Sequence, residues 1–166
     1  LGAEVFATAG SAEKCALCEA FGAARAIAYR DEDFAAIVRE AGGADVVLDM
    51  VGGDYIPRNV AALRRGGRLV MIAFLLGARV QLDFTAVMVK RLTLTGSTMR
   101  PRTVAEKTAI RDALRERVWP GFASGLLRPC VHAEFPLKDA AAAHQVMESS
   151  AHIGKIVLRG CGLQTR

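Results

Sequence analysis

The chain is short of the residues that most often build a catalytic or metal centre. Its 166 residues include three histidines, and aromatic residues make up only 6%. His132, His144 and His152 have no Ser, Cys or Asp partner at a spacing that suggests nucleophilic chemistry, so no catalytic side chain is assigned. Four cysteines are too scattered for a disulfide framework. Cys130 and Cys161 stand alone, while Cys15 and Cys18 lie in an Ala-rich run where three-residue spacing marks one face of a helix. No second C-x-x-C and no histidine at ligand spacing completes a zinc site, so no metal is expected, and isolated thiols of this kind suit a reducing cytoplasm. No apolar run reaches the ~18 residues of a membrane helix. No basic leader precedes Leu1, which opens inside an apolar strand pattern, so neither membrane nor signal peptide is expected. The net charge of +5 comes from 22 basic and 17 acidic residues spread along the chain. That distribution, with few aromatics between the basic residues, speaks against nucleic acid and for solubility with some attraction for an anionic ligand. The G-x-G-x-x-G turn of dinucleotide-binding folds is missing as well.

What is present is clearest between Gly43 and Ile72. Two apolar runs, from Asp45 to Asp49 and from Arg68 to Ile72, flank one short helical segment, with Gly52 and Gly53 after the first run and Gly66 and Gly67 after the helix. Strands this apolar on both faces belong in a parallel sheet with helices on each side. Strand, glycine turn, helix and strand make a βαβ unit, and ligands in such sheets lie at the carboxyl ends of the strands. The same pattern extends in both directions. Strands are expected from Gly2 to Ala9, Ala26 to Tyr29 and Leu92 to Ser97, and helices from Ser11 to Phe21, Asp31 to Ala41, Ile56 to Leu63 and Phe84 to Lys90. Ser11 reads as an N-cap, and Asp31 or Asp33 as the start of the next helix. A long amphipathic helix from Thr103 to about Ala123 is bent or ended by Pro120 near Trp119. After Ser124 the alternation stops: a run from Leu127 to Phe135, a helix from Ala140 to Ser149 and a strand from Gly154 to Leu158 finish the pattern. Two domains are expected, 1–124 and 125–166.

These segments carry a family resemblance. The chain resembles the C-terminal half of zinc-independent quinone oxidoreductases of the medium-chain dehydrogenase/reductase superfamily, above all the zeta-crystallin-like and p53-inducible ones. The matching pieces are TAGSAEK (Thr8 to Lys14), FGAARAIAYRDEDF (Phe21 to Phe34), GADVVLDMVGG (Gly43 to Gly53) and RRGGRLVMIAFLLG (Arg64 to Gly77). LTLTGSTMRPR (Leu92 to Arg102) and FPLKDAAAAHQVMESSAHIGKIVL (Phe135 to Leu158) complete them, leaving only Gly160 to Arg166 outside. The resemblance implies an α/β fold: a Rossmann-like parallel sheet lacking its first strand and glycine-rich loop, plus a C-terminal strand-helix-strand piece of the substrate domain. The missing strand would be central, between the strands that end at Ala9 and Asp49. The gap would be closed by strands sliding together, by dimerisation or by a borrowed strand.

The turn after the first strand, from Thr8 to Ser11, has no carboxylate until Glu13 and a lysine at Lys14. A small hydroxyl-bearing turn at a helix N-terminus beside a lysine suits a 2′-phosphate, although an ordinary N-cap and a solvated lysine look the same locally. The resemblance decides for NADPH, because Lys14 and Tyr29 match positions that hold its phosphate; the arginine that some relatives carry near position 150 is absent. Val51, Gly52 and Gly53 follow a buried strand, so the chain can approach a cofactor there without side-chain obstruction, and by resemblance Phe74, Leu75 and Gly77 would border the nicotinamide; turns and core contacts are the plain alternative for all of them. The implied activity is NADPH-dependent reduction of quinones or related enones, with little turnover from this chain alone. An enoyl-thioester reductase and a non-catalytic, self-associating remnant stay open. A cytoplasmic homodimer through the strand from Leu92 to Thr98 is expected, its alternating Leu and Thr suiting an edge that pairs. Asp45 and Asp49 share a strand face, with strand-end solvation and turn hydrogen bonding as their expected roles.

Overall fold

The computed structural model describes residues 2–160, so the readings of Leu1 and Cys161 lie outside the described residues. The chain divides into two compact units, Leu1–Arg102 and Thr103–Arg166.

In the first unit, β1 (Phe6–Ala9) leads into α1 (Ala12–Ala20). Ser11 is extended and its Oγ accepts from the Lys14 N–H at 3.3 Å, the N-cap its position foretold. β2 (Arg25–Ala28) lies parallel to β1, with Phe6 opposite Arg25 and Ala9 opposite Ala28. The first strand is shorter than expected: its ladder with β2 begins at Phe6, and before it the Ala24 N–H donates to the Val5 carbonyl at 2.9 Å. The next helix, α2 (Phe34–Glu40), begins at the second of its two candidate caps: the Asp33 carboxylate accepts from the Ala35 N–H at 3.0 Å.

β3 (Ala44–Asp49), β4 (Leu63–Met71) and β5 (Thr93–Gly96) form a parallel sheet in that order. Ala44 pairs with Leu63 and Val46 with Arg68, so residues 64–67 loop out of the ladder. Hence β4 begins directly after α3 (Tyr55–Ala62), earlier than the apolar run from Arg68 suggests. On one face, α3 and α4 (Thr85–Lys90) enclose a core of Ile56, Val60, Leu63 and Leu69, with Val47, Val87 and Leu94 against it. The Lys90 ammonium donates to the Ala61 and Leu63 carbonyls at 3.0 and 2.8 Å, placing a cation where the carboxyl end of α3 exposes unpaired oxygens. The opposite face is not covered as the apolar strands imply: Val46 and Leu48 are 60% and 67% exposed.

A second core cluster joins the two sheets. Ile27, Phe34, Ala35, Val38 and Ala62 are buried together, with Phe6 of β1, Ala44 of β3 and Tyr55 of α3 packed against them. Yet β1 pairs with β2 and not with β3, so the parallel sheet is interrupted where the missing strand was expected. Its two parts share a helical layer but have not slid together.

In the second unit, α5 (Val104–Arg117) opens with a reciprocal cap: Thr103 Oγ1 accepts from the Glu106 N–H, and the Glu106 carboxylate accepts from the Thr103 N–H at 2.8 Å. The helix ends near Trp119, as Pro120 suggested, and α6 (Trp119–Ala123) starts afresh with Pro120 in its first turn, where a missing N–H costs nothing. β6 (Val131–Pro136) and β7 (Lys155–Arg159) pair in parallel, joined through a 3-10 turn (Leu137–Asp139) and α7 (Ala140–Glu148). His144 is exposed on α7.

Candidate functional site

The carboxyl ends of the strands in the first unit bring the candidate residues together as two groups. The first surrounds the amino end of α1. Parallel pairing of β1 and β2 sets Gly10 and Ser11 beside Tyr29, whose N–H donates to the Ala9 carbonyl at 3.2 Å. A Cβ placed on Gly10 would lie 2.9 Å from the Tyr29 hydroxyl, closer than real Cβ contacts, so glycine at this position is what lets the phenol lie over the turn. Ser11 caps the helix, and Lys14 stands one turn in, half-buried. Ser11 and the Tyr29 hydroxyl thus lie at a helix N-terminus whose first turn carries Lys14, with Glu13 the only acidic residue there.

The second group lies beyond β3 and β4. Val51 and Gly52 follow β3, and the loop carrying Phe74, Leu75 and Gly77 follows β4 and folds onto them. Leu76 N–H donates to the Val51 carbonyl at 2.7 Å, and Gly53 N–H to the Gly77 carbonyl at 2.8 Å. Gly52 has φ of +71°, and a Cβ there would meet the Gly77 carbonyl at 2.6 Å and Phe74 at 2.8 Å. Its side-chain direction is therefore occupied by this loop, which is reason enough for glycine. Phe74, Leu75 and Leu76 remain 45%, 69% and 66% exposed, an apolar lip beside the turn.

Asp49 anchors that turn. Its carboxylate is 3% exposed and accepts from the Val51 N–H at 2.7 Å and the Gly52 N–H at 3.2 Å. The turn bonding expected of it is present, but the solvation is not; Asp45, by contrast, is exposed and paired with Arg64. Sequence reasoning missed Tyr55, which links the two groups, and Arg58, which lies against its ring. Tyr55 begins α3, its N–H donating to the Gly52 carbonyl at 3.1 Å, and its ring meets that of Tyr29 edge-on at 6.3 Å. The only local sign was an aromatic residue soon after two glycines.

Burial first, then the neighbouring Cys18, Glu19 and Glu32, push the Cys15 thiol above its ordinary pKa, the opposite of an activated nucleophile. Among the described residues no three His, Cys, Asp or Glu side chains gather closely enough to hold a metal ion. Cys15, Cys18 and Cys130 are free thiols.

Parallel strands alternating with helices, interrupted at one place and edged by a capped helix and a glycine turn, define an α/β architecture of the Rossmann type. The chain belongs to the zinc-binding dehydrogenase family, whose model matches residues 21–158, within the medium-chain dehydrogenase/reductase superfamily. It is 32% identical over 168 residues to quinone oxidoreductase 1 of Escherichia coli (strain K12), covering 95% of this chain and 50% of that protein. It is 31% identical over 166 residues to 2-haloacrylate reductase of a Burkholderia species, covering 95% of this chain and 48% of that one. The solved quinone oxidoreductase of Thermus thermophilus, whose structures include a complex with NADPH, superposes with a TM-score of 0.79 at 30% identity over 94% of this chain and 49% of that one. The chain spans about half the length of the curated relatives it matches.

Proposed function

We propose that this chain supplies the nucleotide-binding part of an NADPH-dependent oxidoreductase that reduces quinones or related enones. The observation that carries this reading is the Tyr29 hydroxyl over Gly10, beside the Ser11-capped helix and Lys14. The site fits a 2′-phosphate rather than a bare ribose, because its donors are neutral or cationic and the turn from Thr8 to Ser11 holds no carboxylate to accept from ribose hydroxyls. When bound, the nicotinamide supplies hydride chemistry that no side chain here provides.

The chain's own residues have binding and shaping roles. Lys14 and Tyr29 hold the phosphate, and Ser11 fixes the helix end they share. The Asp49-anchored turn of Val51 and Gly52 presents backbone along the cofactor. Phe74, Leu75 and Gly77 form an apolar lip that excludes water where hydride would leave. The two relatives' names, quinone oxidoreductase and haloacrylate reductase, describe acceptors that share a carbonyl conjugated to C=C. That electron-poor pair is the substrate class proposed for the parent activity, with residues 1–124 serving the cofactor and 125–166 the acceptor. Turnover by this chain alone is expected to be low. A homodimer through Leu92 to Thr98 accompanies this reading, supported by β5 having one strand neighbour among the described residues.

Calorimetric titration of the purified chain with NADPH and NADH tests the reading. NADPH is expected to bind more tightly, and Lys14→Met to weaken NADPH about 10- to 100-fold with little effect on NADH, the range of a lost charge-assisted hydrogen bond. NADH binding as tightly as NADPH would overturn it.

A further inference from the structure

Tyr29 reaches over Gly10 from a short strand and is 37% exposed, so something must hold it there. The ring that meets it comes from α3. The Tyr55 ring meets Tyr29 edge-on at 6.3 Å and 77°. On its other side Tyr55 stacks on Phe34, at 5.5 Å and 18°. The Arg58 guanidinium lies 4.4 Å from the Phe34 ring centre and 5.3 Å from that of Tyr55, and pairs with Asp33 at 3.4 Å. Arg58 sits three residues after Tyr55 on α3, hence on the same face, and Asp33 caps the helix that carries Phe34. Each contact has a favourable geometry of its own: an edge-on pair, an offset stack, and a cation over two ring faces.

We infer that Tyr55 is a positioning residue for cofactor selectivity: backed by Phe34 and Arg58, it holds the Tyr29 ring over Gly10, where the phenol faces Lys14's helix. The selectivity part rests on the NADPH reading given above; the positioning part rests on the ring geometry alone. The column runs from the β3–β4–β5 part of the unit to the β1–β2 part, across the interruption between the sheets. Selectivity at the amino end of α1 is thereby set by a residue that touches no phosphate.

The chain has two tyrosines, so Tyr55→Phe and Tyr55→Leu each leave Tyr29 as the sole one. The first keeps the ring and the second removes it. Two readouts separate the variants: the ratio of NADPH to NADH affinity by calorimetry, and the rate at which tetranitromethane nitrates Tyr29. Tyr55→Phe is expected to match the native chain in both. Tyr55→Leu is expected to lower the affinity ratio about three- to tenfold, with NADH binding unchanged, and to speed nitration by a similar factor. Arg58→Gln, read by mass spectrometry of the Tyr29 peptide, should shift both in the same direction and serves if Tyr55→Leu does not fold. Equal nitration in the ring-bearing and ring-less variants overturns the inference, as does faster nitration with an unchanged affinity ratio. A native chain without NADPH preference defeats the cofactor reading instead, and nitration then decides by itself whether Tyr55 positions Tyr29.

Discussion

The two faces of the β3–β4–β5 sheet are built from neighbouring residues of one composition, yet they have opposite fates. On one face Val47, Leu69 and Leu94 pack against α3 and α4, and Leu69 has no exposed surface. On the other, Val46 and Leu48, which flank Val47 along β3, stay mostly exposed. Side chains in a strand point alternately to opposite faces, so a run that is apolar at every position carries two hydrophobic surfaces. The helices of the first unit cover one of them. A continuous apolar strand therefore records a demand for two covers, which is not the same as their presence.

The sharpest way to break this comparison is to truncate one leucine on each face. Leu69→Ala is expected to cost about 2–5 kcal/mol in urea unfolding, the range for emptying a buried site. Leu48→Ala should stay within about 0.5 kcal/mol, as exposed substitutions do. A comparable loss at both positions would mean that the second face is covered in solution. The next effect in size lies at the end of the covered face, where Asp49 is buried and the following residue, Met50, is 52% exposed. Asp49→Ala leaves the Val51 and Gly52 N–H groups without their acceptor and is expected to cost about 1–3 kcal/mol. Asp49→Asn, which keeps an acceptor oxygen, should lose less. If both variants were as stable as the native chain, the turn would be held by the loop from Phe74 to Gly77 and not by the carboxylate.

The same contrast explains how far the sequence could be read. Order and type of the elements were legible because apolar periodicity and caps are local: Ser11 bonding to Lys14 spans three positions. The break between β1 and β3 was legible only through family resemblance, since no local pattern announces a strand that is absent. The start of β4 was misplaced because Leu63 is strand-like only through its pairing with Ala44, with four residues looped out after it. The covered face could not be told from the open one, because Val46 and Val47 are the same residue type and only the helices distinguish them. In the candidate site, Ser11 and Lys14 could be found from their turn. Tyr29 needed the resemblance, and Tyr55 could not be found because its meaning lies in a ring from another strand. Asp49 was underrated for a similar reason: burial of a strand-end carboxylate depends on the loop that closes over it.

The smallest effect tests whether the β1–β2 part depends on polar pins as the other depends on apolar packing. Glu32 joins both ends of β2: one carboxylate oxygen accepts from the Ala28 N–H at 2.9 Å, the other from the Arg25 guanidinium at 2.9 Å. The Ala28 N–H first, then Arg25, hold its carboxyl below the ordinary range. A carboxylate whose folded pKa is depressed binds its proton less readily than in the unfolded chain. It therefore stabilises the fold above the unfolded value of about 4.3, and that contribution fades as pH falls through the folded pKa. Glu32→Gln is accordingly expected to melt slightly below the native chain at neutral pH, with the gap narrowing as pH falls through the folded pKa of Glu32 and closing in stronger acid. Both partners are substantially exposed, so the gap should also shrink in high salt. Thermal melts across pH read this directly. A gap that persists unchanged in acid would mean that Glu32 acts through its packing rather than its charge, and that β2 is held as apolarly as Leu69 is.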